Sequence, residues 1–354
     1  MPQHATAPTY GSAAHDPSVP PAVARSGPRA DLVLEGGGVK GIALVGALSV
    51  LDEAGYSFPR IAGTSAGAIV GALLASGRPM AELRTIMETT DYRRFMDESR
   101  LDALPGGKLV SLITESGVYE GSYLRGWLDD LLRPGADTFA EMALDPDPDS
   151  SLLPHQRSRL VVNASDISLG RLVRFPWDYE RIYGLDPGEQ RVADAVRASM
   201  SIPFFFEPAR LRHGQDADDV DRGESVLVDG GLLSNFPVDI FDTPTGRTPR
   251  WPTFGIKLSS RPGAIGAAFP RGVHGPAQLA RAMLGTLTSF RDGMHIDDPA
   301  VQARTIFVDT AGVRSIDFDL DDPTRQSLYE SGRSAAAGFL STWDFEQYTA
   351  TYRS

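Results

Sequence analysis

Three short segments carry residue types that could do covalent chemistry on an ester. The first is Gly63-Thr64-Ser65-Ala66-Gly67, a G-x-S-x-G pattern. Its small residues let the backbone take the sharp strand-to-helix turn that exposes a serine hydroxyl. A helix starting just after Ser65 aims its free N–H groups and positive dipole end at the reacting centre. The second is Gly36-Gly37-Gly38-Val39-Lys40-Gly41, which also fits the G-x-G-x-x-G of a dinucleotide site. That reading wants an acidic residue closing the next strand, roughly 20 residues on. Asp52 and Glu53 fall instead in the last turn of a helix, and the next strand ends at Gly63. The better reading is an oxyanion hole in which the N–H groups of Gly37 and Gly38 face a tetrahedral O⁻. A purely structural tight turn is the bland alternative. The third segment, Asp229-Gly230-Gly231, sets a carboxylate at the end of the apolar run Val226–Val228, and ligands of open α/β sheets gather at strand C-termini. Alone it reads as a turn; beside the other two it supplies a base.

The histidines decide the mechanism class. A Ser-His-Asp triad in α/β-hydrolase order needs a histidine after the acid. His4 and His15 precede the ordered part, and His155, His213 and His274 fall in polar or Gly/Pro-rich loops. His295 in Gly293-Met294-His295-Ile296 is the hardest to set aside, yet none of the six stands at a strand end. A Ser65–Asp229 dyad fits better. It requires burial to raise the pKa of Asp229, and hydrogen-bond reach between the two side chains. With no cysteine in the chain, thiolate catalysis, disulfides and cysteine-based zinc sites are excluded. The chemistry calls for no metal and no cofactor.

The elements that must position these groups follow from apolar spacing. Leu32–Leu34 reads as a buried strand stopping at the glycines. Ile42, Leu44, Val45, Leu48 and Leu51 recur at helical spacing from Lys40 to Ala54, closed by Gly55. A strand at Ile61-Ala62 and a helix through Leu73 to Ala75 follow, so the opening is two βα units on a parallel sheet. Helices are expected at 80–89, 123–132, 191–198 and 323–340. Strands are expected at 159–162, 172–175 (as a hairpin partner), 226–228, 253–258 and 305–309. Phe204-Phe205-Phe206 reads as a core strand, with the lining of an acyl channel as the alternative, 213–224 as an acidic surface loop and 261–276 as a long loop.

The 354 residues suit one large α/β domain, expected over 31–342, with a Pro/Ala/Ser-rich disordered leader before it and a tail at 343–354. The net charge of −12, from 34 basic and 46 acidic residues, argues against nucleic acid and against tight adsorption to anionic membranes. No stretch approaches the roughly 20 apolar residues of a membrane-spanning helix, and the first 30 residues lack the apolar core of a secretory signal. The expectation is a cytoplasmic protein, peripheral at membranes when it meets them.

The three motifs in this order resemble the patatin-like phospholipase family. That family has a Gly-rich oxyanion turn, G-x-S-x-G one βα unit later, and a catalytic Asp in D-G-[GA]. Ala198-Ser199-Met200-Ser201-Ile202-Pro203 and Leu232-Leu233-Ser234-Asn235-Phe236-Pro237 match as well. The resemblance runs from about Asp31 to about Leu340. It implies a three-layer α/β fold with a mainly parallel central sheet flanked by helices. Ser65 is then the nucleophile, Asp229 takes its proton, and Gly36–Gly41 holds the oxyanion. A lipid substrate and transient membrane-surface contact are implied; oligomeric state is left open. A short-chain esterase or thioesterase, or a regulated membrane-degrading effector, remain the alternatives.

Overall fold

The computed structural model describes residues 27–96, 119–132, 136–214, 223–244, 247–259, 286, 296–310, 312–315 and 317–353. The leader up to residue 26, the loop expected at 261–276, part of the 213–224 loop, and His4, His15, His274 and His295 lie outside the described residues.

In chain order the elements are β1 (Asp31–Leu34), α1 (Gly41–Glu53), β2 (Ile61–Thr64), α2 (Ala66–Ala75), α3 (Met80–Thr89) and α4 (Ser122–Leu132). Next come β3 (Leu160–Asp166), β4 (Arg171–Phe175), α5 (Tyr179–Tyr183), α6 (Val192–Ser199), β5 (Ala209–Arg212) and β6 (Glu224–Asp229). The chain closes with β7 (Thr253–Lys257), α7 (Pro299–Ala303), β8 (Thr305–Phe307), α8 (Asp322–Leu340) and α9 (Phe345–Tyr352). The eight strands form one sheet in the order β5-β6-β3-β2-β1-β7-β8, with β4 also paired to β3. The run β3-β2-β1-β7-β8 is parallel, while β4, β5 and β6 join antiparallel.

Strand alternation divides the core between two faces. Val33, Ala62 and Val161 stand in one cross-strand row and meet Trp177, Phe236 and Phe241 on one side. Their neighbours Leu32, Leu34, Ile61, Leu160 and Val162 belong to the larger cluster on the other side, with α1, α2 and α8. Helix α1 is buried nearly all round, as expected of a helix held between a sheet and another helix. It lies so close to α8 that a Cβ on Gly332 would stand 2.1 Å from the Ala43 carbonyl. The layers are therefore helix, sheet and a second cover of helix and loop.

β3 carries the geometry that matters for the site. Its residues Leu160–Asn163 pair with β2 and Ala164–Asp166 with β6, while β4 takes Val162–Asp166. A strand has two flanks, and β4 overlaps both partners, so β2 and β6 share the opposite flank. They run head-on, and their C-terminal ends meet.

Four features differ from the sequence expectation. Residue 204 does not continue a strand: Pro203 to Phe205 form a turn, and only Phe206 makes an isolated bridge, to Tyr119. Pro203 lacks an N–H, and Phe204 has φ 65°, which breaks an extended run. Strand β5, with Arg210 and Arg212 exposed, is too polar to read from spacing. The chain is also engaged three residues before Asp31, where Ser57 N–H donates to Pro28 O at 2.9 Å. At the other end, the residues read as a tail form α9. Trp343 stacks on Phe339 with centroids 5.3 Å apart, and Arg353 pairs with Asp242 at 2.6 Å.

Candidate active site

Ser65 links β2 to α2 with φ 54° and ψ −124°, a backbone conformation costly for a residue with a side chain. Close packing holds it there. A Cβ on Gly63 would stand 2.3 Å from Gly67 O, and one on Gly67 would stand 2.3 Å from Leu34 O. The glycines of the elbow are thus required by approach distance. Thr64 accepts a hydrogen bond at Oγ1 from Asn163 Nδ2 at 3.2 Å, and Ala66 starts α2.

Three consecutive residues at the C-terminal end of α6 position the pair. Ser65 N–H donates to Ser199 Oγ at 2.9 Å, and the Ser199 hydroxyl donates to Asn163 O at 2.6 Å. Two acceptors face the Ser65 hydroxyl: the Met200 thioether, 3.2 Å away, and the Asp229 carboxylate, much the stronger. Asp229 N–H donates to Ser201 O at 2.9 Å. The segment is itself fastened by buried Arg197, which donates to Ser201 Oγ and Glu120 O, both at 2.6 Å, and to Glu207 O at 2.9 Å.

The Asp229 loop and the glycine turn are tied together by Asn235. Its Nδ2 donates to Gly36 O at 3.1 Å, and its own carbonyl accepts from Gly36 N–H at 3.4 Å. A Cβ on Gly36 would stand 3.0 Å from Ser65 Cβ, so the turn lies against the serine. Val39 N–H is taken by Ser315 O and Lys40 N–H by Gly37 O; Gly41 N–H closes onto Gly38 O. Among the described residues the N–H groups of Gly37 and Gly38 donate to none. Gly230 packs against β3, where a Cβ would stand 2.4 Å from Asn163 O, and Gly231 N–H donates to Asp229 Oδ1 at 2.7 Å.

The sequence profile of the family described as patatin-like phospholipase matches residues 32–242, a span that holds all three motifs. The chain belongs to the patatin-like phospholipase family. By class it is a hydrolase. It is similar to the uncharacterized protein YqhO of Bacillus subtilis (strain 168), 36% identical over 318 residues that cover 89% of this chain and 99% of that one. It also resembles an uncharacterized NTE family protein of Mycobacterium tuberculosis (strain ATCC 25618 / H37Rv), 27% identical over 213 residues. That match covers 59% of this chain and 27% of the relative. Among solved structures it is similar to VipD from Legionella pneumophila, with a TM-score of 0.48 and 17% identity, covering 88% of this chain and 67% of that one. ExoU in complex with SpcU, from the type III secretion system of Pseudomonas aeruginosa, gives a TM-score of 0.47 and 19% identity, covering 89% and 52%.

In this patatin-like site, burial pushes the Asp229 carboxyl up to about 6, while hydrogen bonds from the Ser65 hydroxyl and Gly231 N–H pull the other way. Desolvation wins because the ionised form loses more water than two donors replace. Beneath the glycine turn sits a buried ion pair that sequence spacing does not disclose. Glu35, just past β1, accepts from Lys257 Nζ and from Leu258 N–H. Lys40, at the start of α1, reaches Leu258 O at 3.4 Å; burial lowers its pKa, Glu35 raises it and Lys257 lowers it further. The one sequence cue is an acid placed between the apolar run Leu32–Leu34 and a glycine run.

An apolar cleft opens beside Ala66 and Met200, the neighbours of Ser65, and is also lined by Gly38, Ile69, Phe95 and Phe318. Its free volume of about 10 Å³ is about what one water molecule needs. Neither described histidine bonds to Ser65 or Asp229: His213 Nε2 lies 2.9 Å from Ser225 Oγ, and His155 packs against Trp177. No helix of the described residues is long and apolar enough to cross a membrane.

Proposed function

We propose that this chain is a serine lipid acyl hydrolase acting through a Ser65–Asp229 dyad and an acyl-enzyme. The observation that carries the reading is a buried carboxylate, raised to about 6, in contact with a serine hydroxyl on a strained elbow. At neutral pH Asp229 is largely ionised yet basic enough to accept a proton in the transition state. As it does so, Ser65 Oγ attacks the ester carbonyl, and the developing O⁻ is received by the N–H groups of Gly37 and Gly38. Collapse expels the alcohol, with the proton returning from Asp229, and leaves the acyl group on Ser65. Water then attacks that ester by the same route and releases the acid.

The substrate class rests on family membership and on the apolar cleft beside Ser65. A lipid ester places its acyl chain along such a wall and its polar part toward solvent. Transient contact with a membrane surface follows from a lipid substrate. The narrowness of the cleft favours, as a second reading, an esterase for short acyl groups. Released fatty acid from mixed phospholipid vesicles, measured beside hydrolysis of a soluble short-chain ester, separates the two. Release by wild type that is lost in Ser65→Ala supports the lipid reading. Activity confined to the soluble ester supports the second.

A further inference from the structure

Among the described residues, two that are not glycine have positive φ: Ser65 at 54° and Phe204 at 65°. The elbow accounts for the first. For the second, a bulky aromatic occupies a left-handed backbone that glycine or asparagine adopts at lower cost, and its side chain stays exposed, at 40%. The next two residues are packed, Phe205 stacked on Phe318 at 5.0 Å and Phe206 buried.

Position supplies the reason. Phe318 lines the apolar cleft next to Ala66 and Met200, so Phe204 adjoins the side chain that backs the cleft wall. Ser201, three residues earlier, holds the Asp229 N–H. A single exposed aromatic is ordinary on a protein surface. One kept exposed at the expense of backbone strain, on the segment joining the base to the cleft, is placed for an apolar partner.

We propose that Phe204 is the contact through which this protein engages a zwitterionic lipid surface, its ring entering the interface beside the cleft. The inference rests on the lipid reading of the substrate. A chain of net charge −12 gains nothing on average from anionic headgroups, so adhesion depends on apolar side chains entering the headgroup boundary.

The test uses the full chain carrying Ser65→Ala, floated with phosphatidylcholine vesicles. Phe204→Asn keeps the left-handed backbone and removes the ring; Phe204→Trp keeps an aromatic and adds a fluorophore. The vesicle-bound fraction is expected to fall at least fivefold with Phe204→Asn. It is retained with Phe204→Trp, whose added emission shifts to the blue when vesicles are mixed in. Phe204→Asn in the active protein is expected to melt no lower than its parent and to cleave a monomeric soluble ester at the parental rate. Flotation unaffected by Phe204→Asn, no flotation by the parent, or an equal loss on the soluble ester would each overturn the proposal. Phe204-dependent flotation without release of fatty acid supports the contact and overturns the lipid-hydrolase reading instead.

Discussion

Ser65 and Asp229 meet because β2 and β6 run head-on along the same flank of β3: Thr64 pairs with Asn163, and Asp229 pairs with the next residue, Ala164. The parallel sheet ends at Thr64, β3 continues beyond it, and β6 returns along the overhang to deliver the carboxylate. Asp229 is thus placed by its strand position opposite Ala164 and by its own N–H donating to Ser201 O, and small shifts of β3 would move Ser65 and Asp229 together.

On the proposed mechanism Asp229 sets the pH dependence. With its pKa near 6, kcat/KM is expected to fall about tenfold per pH unit below that point and to level off above it. The stability effect has the opposite sign. A carboxyl whose pKa is raised on folding stabilises the fold below its ordinary value near 4, and that contribution is lost as pH rises through about 6. At pH 8 the ionised, buried group costs about 3 kcal/mol. Asp229→Asn is therefore expected to melt higher than wild type at pH 8, with the gap closing by pH 4 in thermal scans.

Ser199 is expected to matter as much as its distance from the chemistry is short. Ser199→Ala removes the acceptor of the Ser65 N–H and the donor to Asn163 O, leaving two buried polar groups unpaired. A loss of about 1–3 kcal/mol in stability is expected. A drop in kcat of roughly 10- to 100-fold with little change in KM is expected as the elbow relaxes. Steady-state kinetics beside chemical denaturation read both.

The Glu35–Lys257 pair supports the glycine turn from beneath. Glu35→Gln or Lys257→Met alone leaves a buried charge without its counter-charge and is expected to cost about 3–5 kcal/mol. Replacing both is expected to cost less than the two single changes combined, because no charge is then stranded. A double-mutant cycle in urea measures the coupling.

Gly67→Ala tests the approach of the elbow to β1. The added methyl would stand 2.3 Å from Leu34 O and 2.7 Å from Glu35 O, both backbone atoms that cannot swing aside. Loss of soluble folded protein or of all esterase activity is expected, read by circular dichroism and a soluble ester assay. A fully active Gly67→Ala contradicts the packing described for this turn.

Much of this arrangement is legible in the chain because its signals are local. Apolar runs that stop at Gly36 and Gly63 announce two βα turns, and Asp229-Gly230-Gly231 announces a strand end. Direction is not local: the short run Val226–Val228 has the same composition whether it joins parallel or antiparallel, so the head-on meeting of β2 and β6 could not be read. Ser199 and Ser201 look like ordinary residues closing a helix, and their partners Ser65, Asn163 and Asp229 are remote in sequence. Glu35 and Lys257 stand 222 positions apart, and only the parallel pairing of β1 with β7 brings them together. The strain at Phe204 has no sequence signature, since φ > 0 is foreseen for glycine or asparagine and not for phenylalanine.

The most direct test of the dyad is labelling by a fluorophosphonate, followed by peptide mapping of the adduct and by its rate. Wild type is expected to carry the label on Ser65, at a rate that rises with pH through about 6. Asp229→Asn is expected to label at least a hundredfold more slowly at pH 8, and Ser65→Ala not at all. A label on another residue, or an Asp229→Asn protein that labels at the wild-type rate, would contradict the account.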